Sequence, residues 1–98
     1  MTNYLFRLLP PRPTFMMDMT PEEQEVMQAH VAYWADLMQK GLVVAYGPVA
    51  AVEGAFGIAI LQLPEDESPE PLVANDPAIL SGKGFSSKID LMPMLVSR

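Results

Sequence analysis

Residues 20–41, TPEEQEVMQAHVAYWADLMQKG, carry the clearest structural signals in the sequence. Thr20 is a natural N-cap, Pro21 suits the first helical position, and Glu23 completes a Thr-x-x-Glu capping box. Gly41 is a typical stop signal after Lys40, so the sequence predicts a helix over residues 21–40. At about 100° per residue, its large apolar side chains share one broad face with the only histidine, which indicates packing against another layer. That face carries Val26, Met27, His30, Tyr33, Trp34, Leu37 and Met38.

Four segments around this helix have the composition and alternation of β-strands. They cover residues 3–9, 42–46, 55–63 and about 85–92. Prolines at positions 10, 11 and 13 end the first strand, and Gly47-Pro48 ends the second. A short second helix is predicted from Ser68 to about residue 75, and Asp76-Pro77 begins a further turn. The order β-α-β-β-α-β predicts one α+β domain over residues 1–98, with a ferredoxin-like four-stranded antiparallel sheet and both helices on one face.

The first three strands are apolar on both faces, although helices can cover only one. In the first strand the two sets of side chains are Tyr4, Phe6 and Leu8 against Leu5, Arg7 and Leu9. In the third strand, bulky Phe56, Ile58 and Ile60 alternate with small Ala55, Gly57 and Ala59. We expect the bare face to be covered by a second copy of the chain in a two-fold homodimer. The alternative is a monomer with scattered outward alkyl groups.

Composition argues against several classes of function. The net charge is −6 and the sequence contains six scattered basic residues, which is unlike a nucleic-acid-binding protein or a polybasic membrane-surface segment. The absence of cysteine excludes disulfides and thiolate chemistry. No run is long enough for a membrane helix, and the first residues lack the features of a signal peptide. The expectation is therefore a cytoplasmic protein.

The segment of residues 10–19 is predicted to be a loop, yet it is unusually apolar. It contains Phe15, Met16, Met17 and Met19. Since loops are normally polar, we expect this one to pack over another part of the protein.

His30 lies near the middle of the apolar helix face, with Tyr33 and Trp34 beside it at helical spacing. Histidine is the side chain best suited to proton transfer near neutral pH. On spacing alone, a buried histidine with both nitrogens satisfied is the favoured interpretation. Asp76 could fix its tautomer, but an Asp before a Pro is more simply a helix N-cap. The two roles can coexist, because a carboxylate has two oxygens.

Other candidates for a ligand site are less specific. Gly47-Pro48 could bring backbone close to a ligand, Tyr33 or Trp34 could form an apolar wall, and Arg7 could bind a carboxylate. Arg7 is more simply a solvated or dimer-edge charge. One histidine and no cysteine give no metal-ligand pattern, and no nucleotide or serine-hydrolase motif is present. No cofactor is expected.

Four segments in this order resemble the YCII-related (YciI-like) family. They are Met19-Thr-Pro-Glu-Glu-Gln, Gln28-Ala-His-Val-Ala-Tyr-Trp, Lys40-Gly-Leu-Val-Val-Ala-Tyr-Gly-Pro-Val and Asn75-Asp-Pro-Ala. The resemblance covers nearly the whole chain. It implies a dimeric α+β barrel and a cleft with a His and an Asp, which by motif are His30 and Asp76. The resemblance therefore favours both residues as members of a functional site, where the residue pattern alone favours a structural role for each.

The resemblance implies no particular reaction. The family is similar to muconolactone isomerases, and a few relatives act in the degradation of chlorinated aromatics. Two hypotheses follow. One is a His-Asp enzyme that transfers protons on a small aromatic or lactone-like metabolite in an isomerisation, an elimination or a hydrolysis. The other is a non-catalytic module that binds a small ligand or an interaction partner. The proline-rich Ser68-Pro-Glu-Pro segment departs from the family's usual alanine-rich helix. Because this helix leads to Asp76, its shortening affects where the Asp76 carboxylate lies relative to His30.

Overall fold

The helix predicted from the capping box forms over Pro21–Gln39. The Thr20 hydroxyl accepts a hydrogen bond from the backbone amide of Glu23, and the Glu23 carboxylate accepts one from the backbone amide of Thr20. The computed structural model describes residues 1–98 and contains four strands and four helices. In chain order these are β1 (Thr2–Leu9), α1 (Phe15–Asp18), α2 (Pro21–Gln39), β2 (Val43–Val49), β3 (Phe56–Leu63), α3 (Glu70–Ala74), α4 (Pro77–Leu80) and β4 (Ser86–Met92).

The strands form one antiparallel sheet in the order β2-β3-β1-β4. Phe6 of β1 lies between Ala59 of β3 and Ile89 of β4. Side chains paired directly across a ladder share a face, so Phe6, Ala59 and Ile89 point the same way. The α+β, ferredoxin-like prediction is confirmed.

The hydrophobic core lies between this face of the sheet and the helices. Phe6, Leu8, Ala59, Leu61 and Leu63 contribute from the sheet. Trp34 and Leu37 of α2, Val73 of α3 and Ala78 of α4 contribute from the helices. The indole of Trp34 stacks on the Phe6 ring with centroids 4.9 Å apart. Helices therefore cover one face, as the sequence predicts.

The opposite face of the sheet carries the bulky side chains of β3. Ile60 pairs with Leu5, and Ile58 pairs with Arg7. No helix packs on this face, and the side chains of Leu5, Ile58 and Ile60 are half-buried. The small residues Gly57 and Ala59 are on the helix side.

Three local predictions are corrected. Gly47-Pro48 does not end β2, because the strand continues to Val49; Pro48 is tolerated there since β2 is an edge strand. The 10–19 segment is not wholly a loop, because Phe15–Asp18 form a helical turn. The turn after Asp76 is also helical, as α4, so the second crossover consists of two short helices.

Candidate functional site

Asp76 lies at the junction of α3 and α4 and is completely buried. Its Oδ1 accepts a hydrogen bond of 2.8 Å from the amide of Ala78, which is the N-cap contact that Asp-Pro predicts. Its Oδ2 accepts from Nε1 of Trp34 at 2.8 Å. The carboxylate therefore keeps both oxygens occupied by donors from two different helices.

His30 makes the third contact with this carboxylate. Its Nδ1 is 2.9 Å from Oδ1 and 2.9 Å from Oδ2 of Asp76. The imidazole comes from the middle of α2, 46 positions earlier in the chain. The shortened, proline-rich second crossover thus still brings Asp76 to His30, and the cap and pairing roles of Asp76 coexist.

The hydrogen bonds fix the tautomer of His30. The indole of Trp34 and the amide of Ala78 can only donate, so Asp76 acts as an acceptor toward both. With Asp76 an acceptor, Nδ1 of His30 carries the shared hydrogen. When the ring is neutral, Nε2 then holds the free lone pair. Nε2 has no partner in the protein and is not buried, while the histidine side chain as a whole is only 12% exposed.

Trp34 and Tyr33 make hydrogen bonds that the helical spacing does not reveal. Trp34 lines the cavity described below and also donates to Asp76. The Tyr33 hydroxyl donates to the carbonyl of Leu72 at 2.7 Å, and burial raises its pKa, with the charge of Asp76 adding to the shift. Tyr33 therefore joins α2 to α3 and does not line the cavity described next.

A cavity of about 630 Å³ lies between α2 and the sheet, and His30 lines it. Its sheet side is formed in part by Gly57, which has no side chain, and Ala59, which has only a methyl group, so space remains above them. The lining also includes Trp34, Gly47 and Pro48 of the predicted site. Of its 19 lining residues, 14 are hydrophobic. This volume and character are typical of small-molecule sites, which occupy about 300–1,000 Å³.

Residues 10–19, here called the cover segment, close one side of the cavity. Pro10, Phe15, Met16 and Met19 line it. Phe15 is buried and packs edge-on against Phe85, with ring centroids 5.2 Å apart. This explains why the segment is apolar in sequence, and confirms that it packs over another part of the protein.

Arg12 fastens the cover segment to α2. Its guanidinium makes two hydrogen bonds of 2.9 and 2.7 Å to the carboxylate of Glu23 and one of 2.7 Å to Asp18. These bonds to Arg12 lower the pKa of Glu23 to about 2, with a further contribution from the Thr20 amide. The Asp18 carboxyl, bonded by Thr14 and Arg12, also has a lowered pKa, and the pKa of Arg12 is raised by Glu23 and Asp18.

Arg7 is not brought to the cavity. Its register partners are Ile58 and Lys88, which places it on the sheet face without helices. No group of three side chains drawn from histidine, aspartate and glutamate lies close enough together to hold a metal ion. No helix combines the length and apolar character required to span a membrane.

Tyr46 is a cavity residue that the sequence reasoning missed. It pairs with Ala59, so it lies on the helix side of β2, and it lines the cavity. The prediction that β2 ends here left it at the strand terminus. Simple alternation from the buried Val43 would place Tyr46 on the opposite face; the β-bulge between Val43 and Ala45 returns it to the helix side, and no local pattern in the sequence signals that bulge.

Together the fold and site define a ferredoxin-like α+β protein in which a histidine, oriented by a buried carboxylate, lines a largely apolar cavity. The sequence profile of the YCII-related domain matches residues 5–93 of the 98-residue chain. The protein belongs to the YCII-related family. A search of curated proteins finds no significant match to the chain.

Proposed function

We propose that the protein is an enzyme that transfers protons on a small aromatic or lactone-like metabolite, with His30 as the general base and acid. One observation carries this proposal: Nε2 of His30 is unpartnered at the wall of an apolar cavity while Nδ1 is fixed by a buried carboxylate. A proton-transfer group needs both a free lone pair and a defined orientation.

In this mechanism Nε2 takes a proton from the bound molecule and returns it to another atom of the same molecule or to its leaving group. Asp76 orients the imidazole and stabilises the imidazolium that forms transiently. The donors from Trp34 and Ala78 hold the carboxylate in place. Isomerisation and elimination fit this arrangement, since neither requires more than one group that moves protons.

The experiment is a turnover screen over lactones and hydroxylated or keto aromatics, with the wild type, His30→Ala and Asp76→Asn. We expect His30→Ala to lower the catalysed rate by a factor on the order of 10²–10⁴, the usual contribution of general acid–base catalysis. Asp76→Asn is expected to lower it less, because the imidazole remains but loses its fixed orientation.

Ligand binding separates this proposal from the alternative of a non-catalytic module. If a compound from the screen binds with micromolar affinity but no turnover is found for any compound, the protein is a binding module. A turnover that His30→Ala leaves unchanged would also reject the His30 mechanism. The circular dichroism spectrum of each variant serves as the control for folding.

We also propose that two copies form a homodimer through the sheet face that carries Leu5, Ile58 and Ile60. Support comes from the alternation of β3, which directs its large side chains away from the helices. Burying this surface against a second copy would contribute about 25 cal/mol of stabilisation per Å² of apolar area removed from water. Arg7 would then lie within or beside the interface, consistent with a dimer-edge charge.

A further inference from the structure

Resting on the proposed function, we infer that Tyr46 is a second catalytic residue, which donates a hydrogen bond to the carbonyl oxygen of an uncharged, largely apolar ligand. Three side chains lining the cavity carry a nitrogen or an oxygen, namely His30, Trp34 and Tyr46. Nε1 of Trp34 is bonded to Asp76. This leaves His30 and Tyr46 as the side chains that can bond a ligand.

The Tyr46 hydroxyl is available for such a bond. It has no hydrogen-bond partner in the protein, and it is not buried. The other two tyrosines differ: Tyr33 donates to a backbone carbonyl, and Tyr4 lies outside the cavity lining. A phenol beside an otherwise apolar wall is an effective donor, because little water competes for the acceptor.

The cavity contains no Lys, Arg, Asp or Glu among its lining residues. A carboxylate or an ammonium ion would lose its hydration there without a fixed opposite charge, which is costly. The ligand class that fits is therefore a neutral cyclic or aromatic molecule with a carbonyl group. This differs from the carboxylate ligand that Arg7 suggested from sequence.

Together the two side chains can catalyse enolisation. Nε2 of His30 removes a proton from the carbon next to the carbonyl. The electron pair of that C–H bond forms a C=C bond to the carbonyl carbon, the π pair of the C=O bond moves to the oxygen, and the Tyr46 hydroxyl stabilises the negative charge that develops there. In a ligand that carries a C=C bond between its β and γ carbons, return of the proton from Nε2 to the γ carbon shifts that double bond into conjugation with the carbonyl and completes an isomerisation. No oxidant, reductant or second substrate is consumed.

The test uses three probes with one carbon skeleton: β-tetralone, tetralin and tetralin carboxylate. Binding is measured by NMR titration, and exchange of the α-hydrogens of β-tetralone with deuterium in D₂O is measured in parallel. We expect β-tetralone to bind wild type at least tenfold tighter than the carboxylate. Tyr46→Phe should weaken the binding of β-tetralone about fivefold to tenfold, because one hydrogen bond is lost, and should leave the affinity for tetralin unchanged.

Protein-catalysed exchange should fall about 100-fold in Tyr46→Phe, the effect of removing one oxyanion donor. Tyr4→Phe is the matched control, since it removes a hydroxyl outside the cavity, and its affinities and exchange rate should equal those of wild type. The same measurements in His30→Ala give the exchange that does not depend on the histidine.

The outcomes separate the two proposals. Loss of exchange in His30→Ala with unchanged binding and exchange in Tyr46→Phe would overturn the role of Tyr46 and leave that of His30 intact. Binding of β-tetralone without any catalysed exchange would reject the proposed proton transfer. Equal affinity for the carboxylate, or no binding of any probe at millimolar concentration, would overturn the ligand class.

Discussion

Asp76 shows how a single buried side chain can serve both fold and site. Its carboxylate caps α4, accepts the indole N–H of Trp34 and fixes His30. A buried carboxylate without donors would be strongly destabilising. Here three donors compensate for its burial, and one of them is the group that faces the cavity. Orientation of the imidazole is therefore linked to the stability of the α2–α4 contact.

This linkage predicts a measurable effect of Trp34→Phe. The ring can still stack on Phe6, but the bond to Asp76 is lost, and a hydrogen bond to a charged group is worth about 1.5–3 kcal/mol. We expect the free energy of unfolding to fall by about 2 kcal/mol or more in urea denaturation followed by circular dichroism. Tyr33→Phe, which breaks a bond to a backbone carbonyl, should cost about 1 kcal/mol. Equal costs for the two variants would contradict this account of Asp76.

For the side chains of the site, the sequence predicts the pair of His30 and Asp76 but not the residues around them. His30 and Asp76 are identified by resemblance, and the Asp-Pro pattern by itself predicts the cap. The bond from Trp34 to Asp76 depends on how α4 meets α2, which no local pattern encodes. Tyr46 is missed for a different reason, because Gly47-Pro48 is a strong stop signal that an edge strand happens to tolerate.

At the scale of elements, the cover segment is held at four points. Arg12 bonds to Glu23, and Phe15 packs on Phe85. Its prolines also lie against two glycines with positive φ. A Cβ at Gly54 would approach Pro13 to 3.0 Å, and one at Gly84 would approach Pro11 to 3.0 Å. Sequence alone predicts the apolar character of the segment but not these distant partners.

The ion pair between Arg12 and Glu23 predicts a pH dependence of stability. The pKa of Glu23 is about 2 in the folded chain, against an ordinary value of 4.5. The unfolded chain therefore binds the proton more readily, and the stabilisation is fully present above pH 4.5 and is lost as the pH falls toward about 2. We expect the free energy of unfolding of wild type to decrease over this window.

Glu23→Gln should be less stable than wild type at neutral pH and should depend less on pH in the acid window. Glutamine keeps the capping box, so the change isolates the ion pair with Arg12. Glu22→Gln is the matched control, because Glu22 is exposed in the same helical turn and has no bond to Arg12. Urea denaturation at a series of pH values measures all three proteins. Parallel pH profiles for wild type and Glu23→Gln would contradict the prediction.

The glycine contacts of the cover segment can be tested with a matched pair. Gly82 and Gly84 both have positive φ, at 69° and 93°, but a Cβ at Gly82 would meet nothing within 4 Å. Ala at either position strains the backbone by about 1 kcal/mol or more. Only Gly84→Ala also pushes on Pro11, so it should lower thermal stability further and weaken binding of a cavity ligand. Identical melting temperatures for the two variants would argue against docking of the segment at Gly84.

At the scale of the whole molecule, the alternation of β3 determines what each side of the sheet can do. Gly57 and Ala59 face the helices and leave room for a cavity, while Ile58 and Ile60 face outward. A sheet with the reverse register would fill the cavity and bury its large side chains under α2. The order of strands and helices along the chain and this alternation could be predicted from sequence. The volume of the cavity could not, because it depends on how the cover segment and α2 lie over the small residues.

The outward side chains make the proposed homodimer testable. Ile60→Lys places a charge at the centre of the helix-free face, opposite Leu5, where burial against a second copy would desolvate the ammonium group. We expect sedimentation velocity to give a dimer for wild type and a monomer for Ile60→Lys. Val52→Lys is the control, because Val52 is fully exposed in the loop between β2 and β3, and it should remain dimeric. A monomeric wild type, or a dimer that Ile60→Lys leaves unchanged, would show that this face is not the interface.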